Sequence, residues 1–582
     1  MDQNNLHQDD SPARWAERAE RLKLTRRRFL GFGSVAAATI GAASLAACTP
    51  QTPSGGTSGS PGAGGGGGGD YKAPPEPIAE ADIAETIAAD VVVVGAGMAG
   101  CNAAWSASEA TSSVVVFQKY EKAFCHGGGI AGYGTRLQKD LGPEADFDVE
   151  EEINRWMRES EYRSDRKLVH RWAQFSGVAL DRICDAIDSD DSPGLPAFYM
   201  YDPGYGTVYP DPWNFAYSGG IVMGAMDPEE TESDGIGHMD RITDIILNQA
   251  VKNGAQVYFN TPAVQLVRDG DGTGRVSAVI AQKEDGSYIK CTAAKGVILA
   301  AGDYGHNEAM RAEYMPHIEG MRVSYSRDGN TGDGHLMGLW VGADIQKSPH
   351  AGNMHYDPGV APAHNIAGSG CPWLYVNTLG ERFCNEDASY GQLYAQDMMQ
   401  PDLIHYQVFD GNYAEDVLAG KMGQGNQKNG PFPGFGMAYI DDAIAKGYVY
   451  QGETIEELAA AMEVPAEALQ ATVARYNELV DLGQDLDFGK QADRLTAIVK
   501  PPFYAILRQA CLLCALGGLV INDKMEVIDK QRNVIPGLYA AGNNSGNWFG
   551  GLEHPMVIPG MSLGRAVVTG YLAGLSATGQ EF

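Results

Sequence analysis

Residues 90–100, DVVVVGAGMAG, decide the fold of this chain. The four valines predict a buried strand, and the glycines after them predict a tight turn into a helix that starts with small residues. A second apolar run, VVVF at 114–117, follows at the spacing of a βαβ unit. In such a unit the turn brings backbone N–H groups to a pyrophosphate, and the helix N-terminus adds partial positive charge. The chain is therefore predicted to be an α/β protein with a dinucleotide site.

This unit supplies the first candidate cofactor-binding residues, which are Gly95, Gly97, Met98, Ala99, Gly100, Gln118 and Lys119. In many dinucleotide-binding proteins a carboxylate near the end of the second strand accepts hydrogen bonds from the ribose. Here Gln118 stands at that place. Its amide can still hydrogen-bond a hydroxyl, although without the strength that a charge adds.

The N-terminal residues predict export. TRRRFLG at 25–31 precedes an apolar stretch at 32–47, which together resemble a twin-arginine signal. The apolar stretch is short and rich in Gly and Ala, so it does not predict a stable transmembrane helix. LAAC at 45–48 resembles a lipoprotein cleavage box, and we expect lipidation of Cys48. The alternative is ordinary signal cleavage. We expect a protein that works outside the cytoplasm, anchored to the membrane.

Composition limits the remaining possibilities. Residues 51–70 are Gly, Ser, Thr and Pro with almost nothing apolar, which is typical of a flexible tether. About 510 residues follow, which is too many for one core and indicates two domains. The net charge of −31 argues against nucleic acid as a partner. The nine cysteines are scattered, and the pair Cys511 and Cys514 has no second pair nearby, so no metal is predicted.

Three further segments follow in order. They are KGVILAAGDYGHN at 295–307, IPGLYAAG at 535–542 and GMSLG at 560–564. With the first motif they resemble the flavoprotein subunit of fumarate reductases and succinate dehydrogenases and their soluble relatives, including 3-ketosteroid dehydrogenases. The active-site pattern is most similar to the 3-ketosteroid dehydrogenase branch. The resemblance implies FAD as the cofactor and a Rossmann-like FAD-binding domain with an inserted α+β capping domain.

The resemblance also implies a division of the chain. The parts are a twin-arginine signal with lipoprotein box (1–48), a tether (49–85), the first part of the FAD-binding domain (86–320), the capping domain (321–500) and the second part of the FAD-binding domain (501–582). By position, it adds the cofactor-binding candidates Gly127, Gly128, Gly129, Ala301, Gly302, Gly542, Asn543, Ser562 and Leu563. The helix that starts at Ser562 and Leu563 would face the flavin, where its dipole favours the anionic reduced form. His126 lies near a position that carries flavin covalently in membrane-complex members, but its surroundings differ, and we expect non-covalent FAD.

The implied chemistry needs a hydride from flavin N5 for one carbon of a polarised C=C bond and a proton for the other carbon. In fumarate reductases an arginine after the Arg-Phe-x-Asn-Glu motif gives that proton. Tyr390 holds this position here, in RFCNEDASY, and 3-ketosteroid dehydrogenases have a tyrosine at the equivalent spacing. A phenol has an ordinary pKa of about 10 and can give or take a proton when its neighbours tune it.

The groups that hold a dicarboxylate in fumarate reductases are not found at their expected positions. Cys514 replaces a histidine, and residues 547–559, NWFGGLEHPMVIP, contain no arginine. Arginine forks are the usual carboxylate ligands, so an uncharged enone or an aromatic acrylate-like substrate is favoured. His554 is a candidate to polarise a carbonyl or to pair with Tyr390. Glu553 and Tyr504 complete the catalytic candidates.

Four functions stay open on the sequence. The first is reduction of an activated C=C bond of a small unsaturated molecule outside the cytoplasm. The second is the reverse reaction, as in a 3-ketosteroid-type dehydrogenase, and the third is a fumarate reductase-like respiratory enzyme. The fourth is a lipid-anchored flavoprotein that relays electrons without turnover. The chain shows no haem motif, so an external electron donor or acceptor at the membrane is expected.

Overall fold

The computed structural model describes residues 70–125, 129–136, 139, 148–189, 221–222, 240–323, 329–357, 371–388, 390–418, 437–551, 554 and 560–582. The predicted signal and lipoprotein box (1–48) and residues 49–69 of the predicted tether lie outside these ranges. None of the helices within them combines the length and apolar character needed to cross a bilayer.

An eight-stranded sheet forms the larger half of the fold. Its strands are Ile83–Val94, Val114–Phe117, Gln256–Tyr258, Ala263–Arg268, Val276–Gln282, Tyr288–Leu299, Glu526–Ile528 and Val534–Ala540. The predicted strand of valines lies at its centre, between two parallel neighbours, with Val91 opposite both Val114 and Gly296. The valine run is buried because helices cover both faces of a parallel sheet. The sheets and helices confirm the predicted α/β class.

Helices surround this sheet. Met98–Ser108 follows the glycine turn and packs against the C-terminal helix Met561–Ala577, and both are almost entirely buried. The other helices of the described ranges are Val149–Glu159, Arg166–Asp188, Asp240–Lys252, Asp269–Gly272, Glu308–Tyr314, Asp333–Trp340, Tyr390–Asp397, Tyr413–Leu418, Met437–Ala445, Ile455–Met462 and Ala466–Leu482. Short 3₁₀ turns lie at Glu80–Asp82, Pro316–Ile318, Pro401–Leu403, Ala492–Arg494 and Gly542–Asn544.

A six-stranded, mostly antiparallel sheet forms the smaller half. Its strands are Arg322–Val323, Gly352–Asp357, Leu374–Val376, Ile404–Phe409, Tyr450–Gly452 and Phe503–Ala515. The long strand Phe503–Ala515 is its centre and pairs with four of the others. The predicted domain boundaries stay a prediction. The strand Phe503–Ala515, which the resemblance places in the second part of the FAD-binding domain, belongs to the smaller sheet. A separate pair, Gly129–Ile130 with Ile221–Val222, lies outside both sheets.

Candidate functional site

The glycine turn after the central strand is shaped by close backbone contacts. Gly95 has a φ of +99°, and a Cβ there would lie 2.4 Å from the carbonyl oxygen of Ala300. A Cβ on Gly100 would lie 1.9 Å from the carbonyl oxygen of Gly95. Only glycine permits this path, and the path leads straight into the helix that begins at Met98. The turn therefore has the form of a pyrophosphate cradle at a helix N-terminus.

Three neighbouring parallel strands end beside this turn. The strand Tyr288–Leu299 lies between Ile83–Val94 and Val534–Ala540, so the carboxyl ends of all three meet at one edge. The predicted cofactor residues Ala301, Gly302 and Gly542 follow two of these strands. In open α/β sheets ligands bind in the crevice at the carboxyl ends. The structure therefore brings the separate sequence motifs to one edge of the sheet.

Asn544, which sequence reasoning missed, joins the motifs at this edge. Its Oδ1 accepts a hydrogen bond of 2.6 Å from the backbone N–H of Ala301, and its Nδ2 donates to the carbonyl of Gly302 at 3.0 Å. Nδ2 also lies 3.1 Å from Nδ1 of His335. The side chain is fully buried. The Asn544 amide both accepts from and donates to the backbone, and it thereby stabilises the turn after the strand Tyr288–Leu299.

His335 is the second residue of this network. Its Nε2 lies 3.1 Å from the carbonyl oxygen of Gly517 and 3.0 Å from that of Asn543, and a carbonyl can only accept. The hydrogen therefore sits on Nε2, and Nδ1 accepts from Asn544. Burial lowers the pKa of His335 to about 4, so the ring is neutral at physiological pH. The ring positions the segments around Gly517 and Asn543 without adding charge.

Gln118 and Lys119, the cofactor-binding candidates at the end of the second strand, bind neighbouring segments of the protein. Gln118 Oε1 accepts from the backbone N–H of Lys119 at 3.1 Å and of Ala96 at 3.4 Å, and its Nε2 donates to the carbonyl of Lys122 at 2.8 Å. Lys119 Nζ donates to Asp333 Oδ2 at 2.9 Å. These contacts connect the end of the strand to the glycine turn and to the helix Asp333–Trp340. The predicted ribose contact stays a prediction.

The C-terminal helix begins against the loop that contains Gly129. The backbone N–H of Ala131 donates to the carbonyl of Gly560 at 3.0 Å, which holds the loop on the start of the helix. Ser562 and Leu563 lie half-buried in the first helical turn. Partial positive charge at this helix start is available to an anion. The other loop candidates, Gly127 and Gly128, and also His126, lie outside the described residues.

A buried cation lies one turn into the same helix. Arg565 is fully buried, donates to the carbonyl of Gly542 at 2.7 Å and donates to Asn543 Oδ1 at 2.5 Å. Its guanidinium carbon lies 5.1 Å from the ring centre of Phe549. Burial lowers its pKa to about 10, which leaves the group charged at neutral pH. The positions at which the resemblance implies an arginine, 547–559, do not include residue 565.

An aromatic wall extends from this cation. Phe549 stacks on Trp156 with ring centres 5.6 Å apart and planes 5° apart. The predicted catalytic residue His554 meets Phe549 edge-on, with ring centres 5.9 Å apart. His554 is buried, and its backbone N–H donates to the carbonyl of Gly352 at 3.2 Å. We call Trp156, Phe549 and His554 the aromatic wall. The candidate Glu553 lies outside the described residues.

The segment that contains Cys514 meets the strand Gly352–Asp357. Asn353 is the strand partner of Cys514, and the backbone N–H of Leu516 donates to the carbonyl of Ala351 at 2.9 Å. Cys514 itself is buried. The residues around 351, 515 and 554 therefore come together.

Tyr390, the predicted proton donor or acceptor, is the first residue of the helix Tyr390–Asp397. Its side chain is not among those the structure describes. Later residues of this helix, Leu393 and Tyr394, are buried in one apolar cluster with Tyr304 and Ala515. This packing places the helix beside the end of the long strand and the turn after the larger sheet.

Tyr504 is placed elsewhere. It lies near the start of the long strand, about 36 Å along an extended chain from Ala515. Its ring stacks on Phe409 at 5.3 Å and meets Tyr413 edge-on at 6.0 Å, within an apolar cluster of the smaller sheet. His554 lies beside Gly352, the strand partner of Ala515, at the other end of the long strand. The structure therefore does not bring Tyr504 together with His554. We leave it out of the catalytic set.

The fold and site define a dinucleotide-binding oxidoreductase framework, and comparison with known proteins identifies its family. The model of the family described as "FAD binding domain" matches residues 90–554. This chain belongs to that family, and it is an FAD-dependent oxidoreductase. The glycine cradle fits such a cofactor, as does the positive charge of Arg565, which has no carboxylate partner within the described ranges.

Three known proteins illustrate the similarity. Vinyl phenol reductase of Lactiplantibacillus plantarum is 28% identical over 520 residues, which cover 84% of this chain and 96% of that protein. A probable fumarate reductase of Shewanella frigidimarina is 28% identical over 502 residues, covering 84% and 74%. The solved structure of 3-ketosteroid-Δ4-(5α)-dehydrogenase from Rhodococcus jostii, with 4-androstene-3,17-dione, has 25% identity and a TM-score of 0.65, covering 87% of this chain and 100% of that one. The resemblance drawn from the motifs is confirmed.

Proposed function

We propose that this protein reduces an activated C=C bond in an uncharged, largely apolar enone or aromatic acrylate-like molecule, outside the cytoplasm. Bound FAD supplies the hydride chemistry. The chain's own residues bind the planar substrate, exclude water and deliver a proton to the second carbon, with Tyr390 as the donor. His554 donates to the carbonyl or other group that accumulates negative charge.

The aromatic wall is the observation that carries this proposal. Trp156 and Phe549 stack on each other and are buried, so apolar rings fill the region in which the resemblance implies a carboxylate-binding arginine. His554, buried against the edge of Phe549, adds one polar group to this apolar region. Binding sites of this type combine apolar walls with few polar groups that orient the ligand.

The similarity to vinyl phenol reductase supports an uncharged aromatic substrate, since that name describes an alkene without a carboxylate. The described part of the 547–559 segment contains no arginine, so the carboxylate fork that a dicarboxylate needs has no counterpart there. Arg565 is fully buried beneath Phe549 and Asn543, and it does not offer an open fork to a substrate.

A second candidate is the reverse reaction on a ketosteroid-like substrate. It is favoured by Tyr390 at the position of a tyrosine in 3-ketosteroid dehydrogenases and by the similarity to the Rhodococcus jostii structure over that whole chain. A fumarate reductase-like respiratory role and an electron relay without turnover are the remaining alternatives. They differ from the main proposal in the substrate that reoxidises the reduced enzyme.

We extend the proposal to location and partners. The leader directs export by the twin-arginine route, Cys48 carries a lipid, and an external electron donor at the membrane reduces the enzyme. Cys48→Ser in the full chain, expressed in a host with twin-arginine export, tests the anchor. The proposal expects the variant to move from the membrane fraction to the soluble exported fraction. Equal membrane association of both forms would contradict lipidation.

The function is tested by following reoxidation of the dithionite-reduced holoenzyme without oxygen. The substrates are 4-vinylphenol, cinnamate, 4-androstene-3,17-dione and fumarate, and absorbance of the flavin reports each rate. We expect 4-vinylphenol, cinnamate or the enone 4-androstene-3,17-dione to react fastest, and fumarate to react more slowly than each of them. Fumarate as the best substrate would overturn the argument from the missing arginines.

The direction is tested with the oxidised enzyme and a dye acceptor. Bleaching by a saturated 3-ketosteroid, together with no reoxidation by any alkene, would favour the dehydrogenase. No reaction in either direction with any substrate would favour the electron relay.

A further inference from the structure

The most unusual charge in the described structure is that of Arg565. Its guanidinium is fully buried and has no carboxylate partner among the described residues. Its contacts are the carbonyl of Gly542, the amide oxygen of Asn543 and the face of Phe549, all of them neutral. Its Nε has no hydrogen-bond partner within the described ranges. A buried ion without a partner of opposite charge costs several kcal/mol of folding free energy.

Arg382, whose side chain is also largely buried, shows the contrast. Arg382 is bound by Glu386 and Asp485 at 2.7 and 2.8 Å, and these carboxylates raise its pKa. For Arg565 burial acts in the opposite direction, and its pKa falls to about 10. The group is nonetheless charged at neutral pH. The fold therefore keeps a positive charge at this place with no negative charge of its own to offset it.

Arg565 also fixes the direction of the Asn543 amide. A guanidinium N–H can only donate, so the atom of Asn543 that meets it at 2.5 Å is the oxygen. The NH₂ group of Asn543 is thereby turned away from the arginine. Asn543 is only half-buried, and it directly follows Gly542 at the carboxyl edge of the parallel strands. Arg565 and the Asn543 amide therefore lie at the carboxyl edge of the parallel strands, where open α/β sheets bind dinucleotides.

We propose that Arg565 raises the reduction potential of the bound FAD, acting through its field and through the orientation of Asn543. Two electrons from an external one-electron carrier and one proton from solvent convert the oxidised ring into a reduced ring with one negative charge. A buried cation at the carboxyl edge favours that product over the neutral oxidised ring. The pyrophosphate is a second source of negative charge, but it is the same in both redox states and would leave the potential unchanged.

The experiment measures the two-electron midpoint potential of the purified holoenzyme against a reference dye, with the flavin spectrum as the readout. In Arg565→Met we expect the ratio of reduced to oxidised enzyme, at a fixed solution potential, to fall tenfold or more, which corresponds to about 30 mV. Arg565→Lys keeps a charge and is expected to recover part of the difference. Dissociation constants for oxidised FAD are measured in parallel.

A second variant tests the idea without removing the arginine. Asn543→Glu places a carboxylate at the atom that Arg565 already contacts, and the resulting ion pair is expected to lower the potential in the same direction. Asn543→Gln adds length but no charge and is the matched control. Arg508→Met removes another buried arginine, one held by Gln407 at 2.7 Å in the smaller sheet, and is expected to leave the potential unchanged.

The outcomes separate the alternatives. An unchanged potential in Arg565→Met together with weaker binding of FAD would assign the cation to the pyrophosphate and overturn the proposal. An unchanged potential together with a higher KM for fumarate alone would assign it to a substrate carboxylate and overturn it as well. If Arg565→Met does not fold, Asn543→Glu decides: equal potentials in Asn543→Glu and Asn543→Gln contradict the proposal. The midpoint potential and the dissociation constant of FAD do not depend on which alkene the enzyme reduces.

Discussion

Asp303 Oδ1 accepts a hydrogen bond of 3.4 Å from the backbone N–H of Ala515, and this contact joins the two sheets. Asp303 follows the strand Tyr288–Leu299 of the larger sheet, whereas Ala515 ends the long strand of the smaller one. The same carboxylate accepts from the N–H of Gly305 at 2.6 Å and from Asn330 Nδ2 at 2.8 Å. Asp303 therefore links the cofactor edge to the strand that contains Cys514.

This link predicts a pH-dependent stability. Burial raises the pKa of Asp303 from 3.8 to about 6, although its hydrogen bonds act in the opposite direction. Because the folded pKa lies above the unfolded one, the folded state binds the extra proton, and stability falls as pH rises from about 4 through about 6. The loss is on the order of 3 kcal/mol, from about 1.4 kcal/mol for each unit of pKa difference.

Asp303→Asn removes that titration. As the pH rises from 4.5 to 7, we expect the free energy of unfolding to fall more in the wild type than in the variant. Urea unfolding at constant FAD concentration measures it. Parallel pH profiles of the two proteins would show that Asp303 does not titrate in this range.

Asn544→Ala is expected to destabilise the holoenzyme and to loosen FAD. The change leaves the N–H of Ala301 and the carbonyl of Gly302 without their partner, and buried groups without partners cost about 1–3 kcal/mol each. Thermal unfolding and the ratio of FAD absorbance to protein measure the two effects. Asn533→Ala, at an exposed turn, is the control and should change stability by less than about 0.5 kcal/mol. Equal effects of the two substitutions would refute the role of Asn544.

Two glycines of the first motif should respond differently to alanine. A Cβ on Gly100 would lie 1.9 Å from a backbone oxygen, whereas one on Gly97, whose φ is −87°, meets its nearest neighbour at 3.4 Å. Gly100→Ala should therefore impair folding itself. Gly97→Ala should fold normally and bind FAD more weakly, because the new methyl group lies where the backbone approaches the pyrophosphate. Circular dichroism and FAD titration distinguish these effects, and normal folding of Gly100→Ala would contradict the observed turn.

His554→Ala is expected to lower the rate of reoxidation by the best substrate about 100-fold or more, which is the usual scale for a lost acid–base or oxyanion group. Tyr390→Phe should abolish turnover while the flavin is still reduced normally. His170→Ala, a half-exposed histidine on the helix Arg166–Asp188, is the matched control for the first variant. An unchanged rate in His554→Ala would assign this residue a structural role at the aromatic wall.

Tyr504→Phe tests the correction that the structure makes. The ring contacts with Phe409 and Tyr413 survive the loss of the hydroxyl, so we expect activity within twofold of wild type. A large loss of activity would return Tyr504 to the catalytic set.

Local patterns in the chain were sufficient for the central strands of the larger sheet and for a dinucleotide site, and the resemblance carried by the later motifs implied FAD. A run of valines followed by Gly95, Gly97 and Gly100 determines a buried strand and a turn whose contacts lie within a few residues or on the neighbouring strand. The order of the later motifs then places Ala301, Gly302 and Gly542 at the same edge. Such features are predictable because strand pairing and glycine turns depend on short stretches of sequence.

The electrostatics of the site were decided by tertiary structure. Asn544 and Arg565 contact backbone groups between 23 and 243 residues away in the chain, and no local pattern specifies those partners. Tyr504 was a catalytic candidate because it lies in the returning strand, but the structure places it near the start of that strand, in an apolar cluster with Phe409. Burial and long-range hydrogen bonds depend on which segments meet in space. For that reason the sequence by itself determined which cofactor binds, whereas only the folded chain showed which charges surround it.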